Sequence, residues 1–195
     1  MKIGIDVDEV LVDFMENLIA LYNQSHNACF RRHDFRSMRF AETWGGSDEE
    51  AKEEVRRFFE SSHFDEIEPI SQSQYGIEKL KLSGHELIIV TSRPESVRER
   101  TLDWLNQNYL GAFSEFYFTS EWFNGGGSRK PDICIKAGIE ILVDDALENG
   151  RECSEAGIKV LLPDCPWNQT EDLPEGIKRV YSWEEIVREV ESIKK

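Results

Sequence analysis

Apolar residues fall along this chain in short runs that close on polar residues. Residues 2–7, KIGIDV, read as a buried strand that opens almost at the initial Met. A helical pattern occupies 12–24, a mixed polar and aromatic stretch 25–48, and two further helical patterns 48–62 and 72–83. Beyond residue 70 the rhythm is regular: strand 86–91, helix 95–108, strand 115–119, helix 130–137, strand 140–144, helix 146–156, strands 158–162 and 178–181, and helix 182–194. Gly84, Gly138 and Gly157 each stand between a helix and the next strand, where a helix C-cap is expected. Ser182 followed by Glu185 reads as a capping box for the last helix. Strands alternating with helices predict an α/β fold, a Rossmann-like parallel sheet core with helices on both faces.

Residues 14–71 interrupt this rhythm. An ordinary βα connection takes about 2–6 residues, whereas this segment is far longer and rich in charge and rings. It reads as a small helical cap inserted after the first strand, so that 1–13 and 72–195 form the core and 14–71 the cap. Phe58 and Phe59, on a helical pattern, are expected to fill the cap's own interior. Trp44 sits in a loop beside Gly45 and Gly46 and is the candidate for touching a ligand.

Composition narrows the function classes. The chain has 195 residues, 39% of them apolar and 31% charged, as in a globular domain, and its net charge is -15. A surface so acidic disfavours nucleic-acid polymers and anionic membranes, but a local cation can still admit a small phosphorylated substrate. No apolar run reaches the roughly 18 residues of a membrane span. A strand beginning at Lys2 leaves no room for a signal peptide, and Cys29, Cys134, Cys153 and Cys165 show no metal-binding spacing, so reduced thiols and a cytoplasmic location are expected.

The candidate chemistry lies at the predicted strand ends. The first strand closes on Asp6 and Asp8, two carboxylates whose mutual repulsion calls for a cation or a proton. Residues 86–91 close on Thr91, followed by Ser92, Arg93 and Pro94. Lys130 opens a helix after a glycine-rich stretch, with Arg129 and Lys136 as rivals for the same role. Residues 139–145, IEILVDD, close on Asp144 and Asp145. Four carboxylates at one sheet edge cannot all ionise without a counter-charge, and carboxylate oxygens suit a hard cation such as Mg²⁺. Asp6 and Asp145 are the expected direct ligands, the Asp8 backbone carbonyl a third, and Asp144 the holder of a metal-bound water. Thr91 and Ser92 can donate to phosphoryl oxygens, Lys130 adds positive charge, and Arg93 either holds substrate or pairs locally with Glu95 or Glu99. Taken singly, each motif also fits a turn or a solvated side chain.

The order Asp-x-Asp, hydroxyl, lysine, paired aspartates resembles the haloacid dehalogenase superfamily of phosphohydrolases. Within it, DVDEVLVDF and IVTSRP resemble the branch of 5′-nucleotidases acting on deoxyribonucleotides. The resemblance covers 1–13 and roughly 76–165 and implies that Asp6 attacks phosphorus, that Asp8 is the acid and base, and that Mg²⁺ is the cofactor. It also implies a cap at residues 14–71 that shapes substrate choice. Glu9 departs from the pattern, since many relatives carry a small residue there; a carboxylate so near the phosphate is expected to narrow the site or repel bulky anions. The expected function is a Mg²⁺-dependent phosphomonoesterase for a small phosphorylated metabolite such as a nucleoside monophosphate. Alternatives are a phosphatase of sugar or other non-nucleotide phosphates and a catalytically inactive binding module.

Overall fold

The computed structural model describes residues 1–120 and 129–193. The glycine-rich stretch 125–128 and the end of the last predicted helix lie outside the described residues. Six strands form one parallel sheet in the order β3-β2-β1-β4-β5-β6. They are β1 (Lys2–Ile5), β2 (Glu86–Thr91), β3 (Phe113–Phe118), β4 (Ile141–Val143), β5 (Lys159–Pro163) and β6 (Ile177–Val180). The order reverses direction at β1, which lies between β2 and β4, and an open α/β sheet offers its crevice at such a switch point.

Strand alternation divides the core in two. Ile3, Ile5, Leu87, Ile89, Ile141 and Val143 belong to one cluster, with α4 (Ser73–Leu82), α5 (Arg98–Asn108) and α8 (Trp183–Ile193) packed on it. Ile88, Val90, Leu142, Val160 and Leu162 belong to the other, beneath α6 (Lys130–Ala137) and α7 (Leu147–Glu155). Both faces of the sheet are therefore covered, which is why its strands read as continuous apolar runs. Burying each such Ile, Leu or Val contributes about 1.5–3 kcal/mol. Gly138 ends α6 at φ 70°, a left-handed C-cap that a side chain would strain. Residues 95–108, expected as one helix, start as a 3₁₀ turn at Glu95–Val97 before α5. In the capping box of α8, Ser182 Oγ accepts the Glu185 N–H at 3.2 Å, but the Glu185 carboxylate returns to the N–H of Tyr181 rather than of Ser182.

The long segment after β1 carries α1 (Phe14–His26), a 3₁₀ turn at Arg32–Asp34, α2 (Ala41–Trp44), α3 (Asp48–Glu60) and a second 3₁₀ turn at Ser62–Phe64. A reciprocal capping box starts α3: Ser47 Oγ accepts the Glu50 N–H at 3.2 Å and Glu50 Oε2 accepts the Ser47 N–H at 2.8 Å. The segment returns where it leaves. The Ile70 N–H donates to the Leu11 carbonyl at 2.8 Å, and Val12 bridges Pro69. Its rings Phe14, Phe35, Phe58 and Phe64 are buried in the same cluster as β1, so its interior is continuous with the sheet core.

Candidate active site

Parallel register brings the acidic residues together. Ile5 pairs with Ile89 on one side and Val143 on the other, so the residues that follow β1 and β4 emerge side by side. The Asp6 N–H continues the ladder, donating to the Val143 carbonyl at 3.0 Å. Beyond these strand ends lies a cavity of about 310 Å³ whose floor includes Asp6, Asp8, Ser92, Arg93 and Asp145. Its outer wall is apolar and comes from the segment after β1: Phe14, Met15, Met38, Phe40, Val55 and Phe59.

Lys130, at the start of α6, is completely buried. Its Nζ donates to Asp6 Oδ2 at 2.7 Å and to Asp144 Oδ2 at 2.6 Å. Burial alone would pull this ammonium down, but Asp144 and Asp6 outweigh it and hold Lys130 far above its usual range. Its sequence rivals lie elsewhere: Arg129 is exposed and pairs with Asp132 and Glu152, and Lys136 is exposed on α6.

Carboxylate oxygens of Asp6, Asp144 and Asp145 lie within 4.8 Å of one another. Burial pushes Asp6 up to about 7, Lys130 opposes this, and Asp144 and Asp8 add to it. Asp145 is also pushed well above the usual range, first by burial and then by Asp144, Asp6 and Glu9. Three buried carboxylates therefore gather beside one ammonium that bonds Asp6 and Asp144, and their excess charge and hard oxygen donors fit a divalent cation. Asp145 is held by two residues absent from the sequence-based site. Trp167 Nε1 donates to its Oδ2 at 2.6 Å, and Asn168 Nδ2 donates to its carbonyl at 2.8 Å. Both follow β5, so the rule that drew attention to the other strand ends would also have pointed there.

Thr91 ends β2 fully buried, and its Oγ accepts the N–H of Arg93 at 3.2 Å. Arg93 pairs with neither Glu95 nor Glu99. Its guanidinium forks onto Asp8, with Nη2 at 2.7 Å from Oδ1 and Nε at 3.0 Å from Oδ2. Glu9 lines the cavity but is directed elsewhere. It adopts φ 61°, its Oε1 accepts the Met15 N–H at 2.7 Å, and its carboxylate pairs with Arg32. Burial pushes Glu9 up to about 8 against the pull of Arg32. Arg32 and the Met15 N–H thus engage the Glu9 carboxylate, which still lines the cavity.

Trp44 is not among the residues lining this cavity. It stacks on Tyr22 at 4.3 Å between ring centres and 3° between planes, with Phe35 edge-on and Phe40 tilted against it. It borders a separate hollow with Tyr22, His26 and Glu50. Trp44, the expected substrate contact, is partly buried among these rings and borders that hollow, whereas Phe40 and Phe59 line the main cavity.

Comparison with known proteins agrees with this architecture. The family model for 5′ nucleotidase, deoxy (pyrimidine), cytosolic type C protein matches residues 1–194. A protein of Bacillus cereus named "Putative nucleotidase" is 24% identical over 60% of this chain, which spans 64% of that relative's length. A similarly named protein of Oceanobacillus iheyensis is 23% identical over 74% of this chain and 77% of its own. Among solved structures, a haloacid dehalogenase-like hydrolase of Streptococcus pneumoniae superposes with TM-score 0.70 at 17% identity, covering 100% of this chain and 98% of that one. A haloacid dehalogenase family hydrolase of Deinococcus radiodurans, solved with bound phosphate and sodium, gives 0.68 at 16% identity over 99% and 96%. The chain shares the fold of the haloacid dehalogenase-like hydrolases and belongs to the 5′ nucleotidase, deoxy (pyrimidine), cytosolic type C family, hydrolases of phosphoric monoesters.

Proposed function

We propose that this protein is a Mg²⁺-dependent phosphomonoesterase that hydrolyses nucleoside monophosphates, deoxyribonucleotides among them. The observation that carries this reading is a single cavity with two chemistries: Asp6, Asp8 and Asp145 at its floor, with Lys130 buried behind Asp6, and rings at its outer wall. About 300–1,000 Å³ is the usual range for a small-ligand pocket, and the cavity falls at its lower end, which suits a monomer. An apolar ring wall suits a planar base better than a sugar phosphate, which asks for hydroxyl partners.

Asp6 is the nucleophile. Its carboxylate needs no base to activate it once Lys130 and a bound cation hold it ionised, and attack on phosphorus breaks the ester P–O bond and leaves an aspartyl phosphate. Asp8 delivers a proton to the departing alcohol oxygen and then takes one from the water that hydrolyses the acyl phosphate. Thr91, Ser92 and Lys130 orient the phosphoryl group, whose charge sits on its equatorial oxygens. Asp6, Asp145 and the Asp8 carbonyl would hold Mg²⁺, with Asp144 bonding a water beside it. When bound, the ion supplies Lewis-acid polarisation of phosphoryl oxygens. Residues 14–71 act as the cap, excluding water and contacting the leaving nucleoside. A cytosolic setting accords with four free thiols among the described residues and no described helix able to cross a membrane.

Assays of deoxynucleoside and nucleoside 5′-monophosphates beside sugar phosphates, with Mg²⁺ or with EDTA, test this. Nucleotide turnover that EDTA abolishes is the expected result. Equal or better turnover of sugar phosphates would overturn the substrate class. No turnover of any monoester would leave an inactive binding module.

A further inference from the structure

Arg93 is one of the few charged side chains buried in this protein, and its hydrogen bonds go to other residues rather than to open cavity. Its side chain is 2% exposed. Nε and Nη2 donate to Asp8, and Nη1 donates to Thr101 Oγ at 3.1 Å. The guanidinium lies over Phe64 at 4.9 Å and over Phe59 at 5.8 Å, so two rings of the segment after β1 back it. Its own N–H bonds Thr91, which fixes the turn from which it projects. Three of its five N–H donors are thus committed inside the protein, and the edge that forks is turned to Asp8. Arg93 is a rigid fork whose one carboxylate partner is Asp8.

We propose that Arg93 is the positioning residue for Asp8, and that Phe64 and Phe59 carry the position of the cap to the acid through it. This rests on the reading of Asp8 as acid and base. Asp8 stands on a loop and is a quarter exposed in its side chain, so the loop alone does not fix its rotamer. The fork fixes both carboxylate oxygens at once, in the plane set by the guanidinium. Because that plane lies against Phe64, a cap that shifts carries the fork with it, and Asp8 is aligned only when the rings are seated. Proton delivery to the leaving oxygen is thereby tied to closure over substrate. Position matters at this scale, since a misplacement of about 1 Å can cost about 100-fold in rate.

The test uses the intact protein with Mg²⁺ and the variants Arg93→Met, Arg93→Lys and Phe64→Leu. Three quantities are read: kcat/KM on an alkyl phosphate, kcat/KM on p-nitrophenyl phosphate, and inhibition by inorganic phosphate. The first two report the first chemical step, and only the alkyl substrate needs an acid in it. Arg93→Met is expected to lower kcat/KM on the alkyl substrate by about 100-fold, and on the aryl substrate by far less. Inhibition by phosphate stays at the parent value. Arg93→Lys, which keeps the charge but not the fork, falls between parent and Arg93→Met, and added guanidinium partly restores Arg93→Met. Phe64→Leu shifts the alkyl-to-aryl ratio in the same direction. Weaker phosphate inhibition in Arg93→Met would overturn the proposal in favour of substrate binding. Equal losses on both substrates would reduce Arg93 to a structural role. If Arg93→Met fails to fold, Arg93→Lys and Phe64→Leu decide by the same ratio. An inactive parent protein would defeat the hydrolase reading itself, whereas an active parent with unaltered ratios in the variants defeats only the role of Arg93.

Discussion

Arg32 forms an ion pair with Glu9, so a cation from the segment that leaves β1 closes back on the loop that launches it. Arg32 also reaches Asp13 at 2.8 Å and lies 4.8 Å over the Trp167 ring, whose indole N–H holds Asp145. One side chain thus touches the motif that carries Asp6 and Asp8, the start of α1 and the residue that orients a candidate metal ligand. Removing Arg32 takes away the attraction that opposes burial at Glu9, which must then take up a proton or stay charged and dry. Arg32→Met should cost about 3 kcal/mol of stability in urea unfolding. Glu9→Gln together with Arg32→Met should recover most of that loss, because neither charge is then stranded. A double variant no more stable than Arg32→Met would show that the pair is not what Arg32 contributes.

The protein without metal should lose stability as pH rises from about 4 to about 7. Asp6 titrates near 3.8 unfolded and near 7 folded, because burial favours its neutral form. Between those values the native state binds the extra proton, and stability falls with pH across the window. Asp145, raised for the same reason, acts in the same direction. Urea unfolding in EDTA at several pH values measures the slope, and Mg²⁺ should flatten it by supplying the missing counter-charge. Asp6→Asn should also flatten it while abolishing turnover. Stability in EDTA that rises with pH would contradict this account.

Trp167→Phe should raise the Mg²⁺ concentration needed for half-maximal activity by about 10–100-fold. The ring volume is nearly kept, so packing beneath Arg32 survives, while the 2.6 Å hydrogen bond to Asp145 is lost. Asp145→Asn should raise the requirement further. Asp144→Asn should act differently, through Lys130, which loses the charge of Asp144 and keeps that of Asp6. Metal titration of activity separates the three. An unshifted requirement in Trp167→Phe would mean that Asp145 needs no orienting partner.

The sequence made plain what depends on local pattern. Asp6, Asp144 and Asp145 follow apolar runs, and Lys130 opens a helix; parallel register does the rest, since neighbouring strands that end in step must bring their next residues together. The sheet, its helical faces and most element bounds follow from the same periodicities. What pattern cannot carry is pairing between distant segments. Arg93 had acidic neighbours at Glu95 and Glu99, yet its partner is Asp8, 85 positions away. Nothing near Glu9 in sequence announces its partner Arg32. Trp44, flanked by glycines, reads as a loop residue aimed outward, and only the placement of α1 reveals Tyr22 stacked against it.

The cap should divide its aromatic residues between recognition and packing. Phe40 lines the cavity and Trp44 does not, although the two rings are only 5.2 Å apart. Phe40→Leu keeps an apolar side chain but removes the face on which a base can stack, a contact worth about 1–3 kcal/mol. Its kcat/KM on the preferred nucleotide should fall by about 10-fold, equivalent to about 1.4 kcal/mol, relative to the value on methyl phosphate. Trp44→Ala should instead leave that ratio alone. Deleting a ring stacked on Tyr22 and edged by Phe35 opens a cavity and should cost about 3–5 kcal/mol in stability. Trp44→Phe, a milder change, should keep both activity ratio and most of the stability. Melting temperatures and two-substrate kinetics on the three variants decide the matter. If Trp44→Phe changes the ratio and Phe40→Leu does not, the nucleoside contacts the hollow beside Tyr22, and the main cavity's ring wall is only the cap's interior.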